Sequence, residues 1–164
     1  MLVLTGLHFS TQAQVRINEI CAANADLKYD PEFFDFSSYV ELYNAGDASV
    51  DVSDYYLSDD PSQPGKWRIP ASTSIPAKGY LLIWCDERNT LLHTNYNLDP
   101  DGEVVVLSDA GSTEVDRVEF PEQYVNISFG RLTDGGSQMG HMLSPTPGAQ
   151  NEAATGTIRL ENGK

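Results

Sequence analysis

The sequence predicts an all-β protein, a sandwich or a barrel of about eight strands. Short apolar runs alternate with turn residues, and the 13 Gly and 9 Pro fall between those runs. No segment keeps a helical repeat of apolar residues over eleven or more positions. With 164 residues the chain is long enough to bury one two-layer core. We therefore expect one domain, spanning residues 15–151.

The first two strands are predicted on either side of a long loop. Residues 15–22 are apolar enough for a strand, but Ile17 and Ile20 are out of step with strict alternation and indicate a bulge. Residues 39–44 alternate apolar and polar side chains, which is typical of a strand with one face in the core. The loop between them, residues 24–38, is polar and aromatic.

Six further strands are predicted downstream, at residues 55–58, 66–70, 79–85, 103–108, 113–120 and 126–132. The run 79–85 is apolar on both faces and predicts a central strand. Residues 103–108 and 113–120 are joined by a turn sequence and predict a hairpin. Pro145 and Pro147 remove two backbone donors, so this segment is expected to run as an extended cover over the sheet.

The two ends of the chain differ from the rest. Residues 1–14 are predicted to be a signal-peptide remnant, with cleavage after Ala13, or else a disordered leader. A signal would make the protein secreted or exposed at the cell surface. No other segment approaches the ~20 apolar residues that span a bilayer. Residues 152–164 have little core-forming content and are predicted to be a linker or the start of a following module.

The charge of the chain limits its partners. Ten Lys and Arg against 24 Asp and Glu give a net charge of -14, which repels phosphate backbones and makes nucleic acid an unexpected partner. The acidity either serves solubility or provides a surface for cations and basic partners. The two cysteines, Cys21 and Cys85, are too few for a disulfide scaffold and are expected to be buried free thiols or one bridge.

Two groups of carboxylates could bind calcium, because hard cations prefer oxygen ligands. One group lies in the loop 24–38 and the other at the turn before residue 103. Neither group has the spacing of an EF-hand, and Asp-Gly is also an ordinary turn sequence. Calcium is the one cofactor that the sequence suggests. The candidate ligands are Asp26, Asp30, Glu32, Asp35, Asp99 and Asp101.

Six residues are candidates for a ligand or partner surface. The four aromatic residues of the first loop form either an open platform or a lid over the end of the sandwich. The tryptophan either fills the core or stacks on a ligand. The arginine either holds a carboxylate or loop carbonyls with its planar fork, or binds a ligand. The candidates are Tyr29, Phe33, Phe34, Phe36, Trp67 and Arg131.

Catalytic motifs are missing from the sequence. It contains no GxSxG elbow and no HExxH or CxxC pattern. His93 and His141 have no neighbouring residues at the spacing of metal ligands. We therefore predict that the chain is not an enzyme.

Seven short blocks occur in a fixed order. They are Ile17-Asn18-Glu19-Ile20, Tyr39-Val40-Glu41-Leu42-Tyr43-Asn44, Tyr56-Leu57-Ser58-Asp59-Asp60, Lys66-Trp67-Arg68-Ile69-Pro70, Gly79-Tyr80-Leu81-Leu82-Ile83-Trp84, Ser128-Phe129-Gly130-Arg131 and Pro145-Thr146-Pro147-Gly148. The series resembles the lamin tail domain, and more narrowly its bacterial, exported branch. This resemblance implies an immunoglobulin-like β-sandwich. In the last strand, Gly130 is expected to permit a bend or a positive φ.

The resemblance also implies a function. It suggests a non-catalytic interaction or positioning module of a secreted or cell-surface bacterial protein, with an unknown protein or cell-envelope partner. The alternative is a ligand-binding accessory domain of an extracellular hydrolase, with calcium or polysaccharide as the ligand. The acidic charge argues against transferring the chromatin contact of nuclear lamins. We expect the chain to be a monomeric fragment of a larger protein.

Overall fold

The computed structural model describes residues 14–152. In this part of the chain every regular element is a β-strand, and no helix is long and apolar enough to cross a membrane. The strands are β1 (Val15–Cys21), β2 (Ser38–Asn44), β3 (Val50–Asp51), β4 (Tyr56–Ser58), β5 (Trp67–Arg68), β6 (Ser74–Ile75), β7 (Tyr80–Cys85), β8 (Gly102–Ser108), β9 (Glu114–Pro121), β10 (Ser128–Arg131) and β11 (Met139–Met142). The all-β prediction is confirmed.

The strands form two packed sheets and a small third one. The larger sheet has the order β11-β10-β1-β2-β7, the second has the order β5-β4-β8-β9, and β3 pairs with β6. The core lies between the two large sheets, where Ile17 and Leu42 belong to the same apolar cluster as Leu57, Val105 and Phe120. This two-layer antiparallel arrangement is an immunoglobulin-like β-sandwich.

All eight segments predicted as strands contain one. The predicted hairpin is also confirmed, because β8 and β9 pair along their whole length. Three short strands, β3, β6 and β11, go beyond the prediction. Two of them have only two residues each, and the third lies in a glycine-containing stretch, so none carries a readable alternation.

The prediction that residues 79–85 form a central strand is wrong. Strand β7 is an edge of the larger sheet. Both faces of this edge strand are nevertheless partly covered, which explains its continuous apolar run. Leu81 and Ile83 pack in the main core, whereas Leu82 and Trp84 pack in a second, smaller apolar cluster.

The predicted bulge in β1 is confirmed. The pairing of β1 with β2 shifts register between Ile17 and Glu19, which leaves Asn18 as the extra residue. On the neighbouring strand, Gly130 lies opposite Glu19. A Cβ atom on Gly130 would lie 2.3 Å from the backbone oxygen of Asn18. Gly130 does not have the positive φ expected as one possibility; a glycine is needed there because the bulge brings backbone too close for a side chain.

A buried ion pair connects the two large sheets. The Nη2 atom of Arg131 in β10 donates to both carboxylate oxygens of Asp116 in β9, at 3.0 and 2.8 Å. Its Nε atom donates to the backbone oxygen of Ile17 at 2.9 Å, and its Nη1 atom donates to that of Gly136. The Asp116 carboxylate also accepts the backbone N–H of Ile17, at 2.9 Å. Both charged groups are buried and have their hydrogen bonds satisfied by this arrangement.

A segment without regular structure covers the outer face of the larger sheet. Residues 144–151 contain no strand, as the two prolines predict. Glu19 and Glu41 lie side by side on β1 and β2, and both are fully buried. Their carboxylates accept the backbone N–H groups of Thr146 at 3.0 Å and Gly148 at 2.6 Å. The cover is thus attached to the sheet by buried acceptors.

The two cysteines are both buried and both free. This is the first of the two predicted alternatives. Burial raises the pKa of the Cys21 thiol to about 12 and also raises the pKa of Cys85. Both thiols are therefore protonated near neutral pH and serve as packing groups.

The predictions for the chain ends lie almost wholly outside the described residues. The expected signal or leader covers residues 1–14, of which only Gln14 is described. The expected linker covers residues 152–164, of which only Glu152 is described.

We expect Gly130→Ala to lower the free energy of unfolding by about 3 kcal/mol, because the new methyl group meets backbone atoms that cannot move aside. Urea unfolding measures the change. Gly65→Ala is the matched control, since its Cβ atom would find only ordinary contacts with the Tyr56 ring, at 3.7 Å and beyond. The steric explanation fails if the two variants are equally stable.

We expect the stability of the protein to fall as the pH rises from about 4.5 to about 8. Burial raises the pKa of Glu41 to about 8 from an ordinary value of 4.5. Between these values the folded state keeps a proton that the unfolded chain has lost, so the free energy of unfolding decreases by up to about 1.4 kcal/mol per pH unit. Burial also raises the pKa of Glu103, to about 7, which adds to the slope.

The variant Glu41→Gln isolates the contribution of Glu41. Its free energy of unfolding, measured in urea at several pH values, should vary less between pH 5 and 8 than that of the wild type. Glu119→Gln, at an exposed position of β9, should keep the wild-type slope. An unchanged slope in Glu41→Gln would show that this carboxyl group does not control the pH dependence.

Candidate functional site

Most of the predicted site residues lie in the β1–β2 loop, residues 22–37. The side chain of Asn24 holds the base of this loop together. Its Nδ2 atom donates to the backbone oxygens of Lys28 and Ser37, both at 2.8 Å. Its Oδ1 atom accepts the N–H groups of Leu27 at 3.1 Å and Lys28 at 3.3 Å. This one amide side chain therefore makes four hydrogen bonds that shape the base of the loop.

The tip of the loop is a tight turn. The N–H of Asp30 donates to the backbone oxygen of Asp35 at 2.8 Å, and the N–H of Phe34 donates to that of Asp30 at 3.0 Å. Phe34 has a φ of 62°, which is unusual for an aromatic residue. The turn thus holds a phenylalanine in the left-handed region while its ring faces solvent.

Four aromatic residues of the loop form an exposed patch, which we call the aromatic surface. Tyr29, Phe33, Phe34 and Phe36 are 45%, 41%, 74% and 38% exposed. The Tyr29 ring contacts the rings of Phe34 and Phe36, with centroids 5.8 and 5.6 Å apart. The patch is open rather than a closed lid. Phe33 alone also covers a buried group, because its ring packs edge-on against His93 at 4.8 Å.

Several polar side chains gather around His93 beneath the aromatic surface. His93 lies in the segment after β7 and is 0% exposed. Its Nδ1 atom is 2.9 Å from Oδ2 of Asp86. Asp86 also accepts hydrogen bonds from Ser37, at 3.0 Å, and from Arg88. Burial acts to raise the pKa of Asp86, but the hydrogen bonds from His93, Arg88 and Ser37 outweigh it, so the pKa lies below its ordinary value.

Two of the predicted calcium ligands approach the other side of the imidazole. The Nε2 atom of His93 lies 3.8 Å from Oδ1 of Asp30 and 3.8 Å from Oε2 of Glu32. Asp30 is fully buried, whereas Glu32 is half-exposed. A side-chain hydrogen bond with Asp30 raises the pKa of Glu32. We call Asp30, Glu32, Asp86 and His93 the histidine cluster.

The other predicted calcium ligands have separate partners. Asp26 accepts a hydrogen bond from Nδ2 of Asn126 at 2.5 Å. Asp35 forms an ion pair with Arg88 at 3.1 Å. Asp99 and Asp101 lie at the turn before β8, where Asp99 accepts the N–H of Asp101 at 2.9 Å. Of the six candidates, only Asp30 and Glu32 come together with a nitrogen ligand.

Two candidates for the ligand surface lie away from the loop. Trp67 in β5 is 5% exposed and packs in the main core. Arg131 is 6% exposed and contacts the Asp116 carboxylate and backbone oxygens. Trp67 thus fills the core, and Arg131 holds a carboxylate and loop carbonyls.

The sequence pattern did not indicate Asp86 or Arg88 as residues of a site. It also did not indicate His93 as a ligand. His93 has no neighbour at a ligand spacing, because the two carboxylates that face its Nε2 atom, Asp30 and Glu32, come from a different loop. The available signal is weak. Asp86 follows the end of an apolar strand, and His93 lies seven residues later in a polar stretch.

We expect Asn24→Ala to loosen the β1–β2 loop, because the substitution removes four hydrogen bonds at its base. Amide hydrogen exchange in residues 25–37 should become at least tenfold faster, and the free energy of unfolding should drop by about 1 to 3 kcal/mol. Asn95→Ala is the control, since this exposed residue donates one hydrogen bond, to Lys66. Unchanged exchange in Asn24→Ala would contradict the role of this side chain.

Comparison with known proteins identifies the family. The family model of the Lamin Tail Domain matches residues 8–122, which is more than half of the chain. The match contains five of the seven sequence blocks and ends before the blocks at 128–131 and 145–148. Arg131 and Thr146 nevertheless attach these two later blocks to the same sandwich. A search of the curated proteins found no match.

The matched family consists of non-enzymatic immunoglobulin-like domains, which is consistent with an interaction module. The two-sheet sandwich of this chain is consistent with the immunoglobulin-like fold of the family. The chain belongs to the Lamin Tail Domain family.

Proposed function

We propose that this domain is a protein-interaction module of a secreted or cell-surface bacterial protein and that it contacts its partner through the aromatic surface. The observation that carries the proposal is the exposure of four aromatic rings on one well-held loop. Large apolar side chains are costly to expose together, and such patches commonly mark contact sites. The domain itself has a binding role and no catalytic one in this proposal.

The conformation of Phe34 supports a contact role. This residue is 74% exposed and has a positive φ, so neither burial nor backbone preference explains a phenylalanine there. Backbone strain of this kind persists where the surrounding structure maintains it and is common at ligand-contacting sites. A ring that packs against a partner would account for both features.

The geometry of the rings favours a protein partner over a polysaccharide. The ring planes of Phe34 and Phe36 are inclined by 54° and 65° to that of Tyr29. A flat sugar chain stacks best on rings that share a plane, whereas a protein surface can fit around inclined rings. Polysaccharide binding is therefore the second candidate.

The charge of the chain suggests the character of the partner. With a net charge of -14, the domain favours a partner with a basic surface around an apolar centre. Association should then be faster and tighter at low salt. The exposed carboxylates of Asp26 and Asp35 lie within the same loop as the aromatic surface.

Export is a separate part of the proposal. Its support is the sequence of residues 1–14, with small residues before Ala13. Expression of the tagged chain in a bacterial host, followed by fractionation and N-terminal sequencing, tests it. We expect the domain outside the cytoplasm with an N-terminus at Gln14, and an unprocessed chain in the cytoplasm would contradict export.

We expect the tagged domain to capture a basic protein from extracts of the native cell envelope. The double variant Tyr29→Ala/Phe34→Ala should lose this protein, because it removes the most exposed ring and the ring that it contacts. Leu143→Ala should retain it, since Leu143 is an exposed apolar residue of a different segment. The captured protein is then purified, and its affinity for each variant is measured at two salt concentrations.

The results separate the two candidate functions. Equal affinity of the double variant and the wild type would contradict the aromatic surface as the contact site. Retention of the domain by protease-treated envelope, lost in the double variant, would favour polysaccharide over protein. Circular dichroism confirms that the variants fold.

A further inference from the structure

The histidine cluster contains two buried polar atoms, Nε2 of His93 and Oδ2 of Asp30, that have no hydrogen bond with an N–H or hydroxyl group of the described residues. The other side-chain hydrogen bonding of Asp30 is with Glu32, whose backbone N–H donates to Oδ1 at 2.8 Å. The side chains of His93 and Asp30 are both 0% exposed. A buried polar atom without a partner is unfavourable in a folded protein, and few such atoms remain in native structures. These two belong to facing side chains, which suggests a common partner.

The spacing of the facing atoms fits a shared ion better than a hydrogen bond. Nε2 of His93 is 3.8 Å from Oδ1 of Asp30 and 3.8 Å from Oε2 of Glu32, which is too long for direct hydrogen bonds. An ion that binds nitrogen and oxygen at ~2.1 Å in a tetrahedral site separates these ligand atoms by ~3.4 Å. Small rotations of the two carboxylates would close the remaining gap.

Asp86 holds the imidazole so that Nε2 faces these carboxylates. The cluster formed by Asp30, Asp86 and His93 has one potential ligand atom from each residue within 4.8 Å of the others. The Asp86 carboxylate, however, is already bonded to Nδ1 of His93 and to the cationic Arg88. An ion at Nδ1 would have to break the hydrogen bond between His93 and Asp86, and it would lie close to the positive charge of Arg88. A carboxylate on one imidazole nitrogen and an ion on the other is a common arrangement in metal sites.

The ligand types select the class of metal. Two carboxylates supply two negative charges, which balance a divalent cation. An imidazole nitrogen suits zinc and similar first-row ions, whereas calcium and magnesium prefer oxygen ligands alone. The half-exposed Glu32 leaves the site open to an ion from solvent. The chemistry of the cluster thus differs from that of the all-oxygen calcium site that the sequence suggests.

We propose that Asp30, Glu32 and His93 bind a divalent transition-metal ion, with zinc as the representative, and that Asp86 is the residue that positions His93. The site connects the β1–β2 loop to the segment after β7. It is independent of the contact made by the aromatic surface, although Phe33 borders both.

Calorimetric titration of the tag-free, chelator-treated domain with Zn²⁺ tests the proposal. We expect one ion per chain with a Kd in the micromolar range or below, and binding at least tenfold weaker for Ca²⁺. An absence of saturable binding at 1 mM Zn²⁺ would overturn the site. Binding of Ca²⁺ as tight as that of Zn²⁺ would overturn the proposed class of metal.

Two matched variants of the loop distinguish this site from weak surface binding. Glu32→Gln removes a proposed ligand at a half-exposed position and should weaken Zn²⁺ binding at least tenfold. Asp35→Asn removes a carboxylate of the same loop that pairs with Arg88 and should bind Zn²⁺ as the wild type does. Equal weakening by both substitutions would indicate binding to general negative charge and contradict the site.

Nitrogen NMR of the wild-type domain identifies the bound atom directly. On addition of Zn²⁺, the resonance of His93 Nε2 should shift to a metal-bound position while Nδ1 keeps its proton toward Asp86. A His93 ring that stays protonated on both nitrogens in excess Zn²⁺ would overturn the proposal. The alternative is then an ion pair of the imidazolium with its three carboxylate neighbours.

Discussion

The buried ion pair between Arg131 and Asp116 is the interaction on which the rest of this sandwich depends. It joins the two large sheets and satisfies both the N–H and the C=O of Ile17 just before the bulge in β1. Without Asp116, the Arg131 guanidinium would remain buried without a counter-charge, which is strongly destabilising. Without Arg131, the Asp116 carboxylate would keep only the longer ion pair with Arg16, at 3.3 Å. The pair of Arg131 and Asp116 therefore binds the backbone of β1 directly before the bulge at Asn18. On the other side of the bulge, from Glu19 onward, β1 pairs with β10.

The bulge organises the outer face of the larger sheet. Asn18 donates to Glu41 and to Asp134, both at 3.0 Å, and its backbone oxygen accepts from Asn151 at 3.3 Å. Asn151 also donates to the backbone oxygen of Arg131 at 2.7 Å, so the cover returns to the residue that joins the sheets. Asn18, Glu41 and Arg131 thus belong to one hydrogen-bond network with Asp134 and Asn151. Their role in this chain is to close the fold.

The candidate site uses a different part of the molecule. The β1–β2 loop leaves the well-packed sheet, is held at its base by Asn24, and carries both the exposed rings and the histidine cluster. A rigid scaffold with function on a supported loop is a common arrangement in sandwich domains. The proposed ion would bind at the point where this loop meets the segment after β7. Such an ion would tie the two segments together without taking part in the proposed partner contact.

The sequence by itself determined the all-β class, the eight main strands, the bulge, the hairpin and the proline-containing cover, because alternation, turn residues and missing donors act locally. It also indicated Asp30 and Glu32 as possible ligands. Only the tertiary structure decided that β7 is an edge, that Gly130 is required by a close backbone approach, and that His93 faces those two carboxylates. These features depend on contacts between segments that are distant in the chain. Local patterns of residues do not predict which of these segments contact each other.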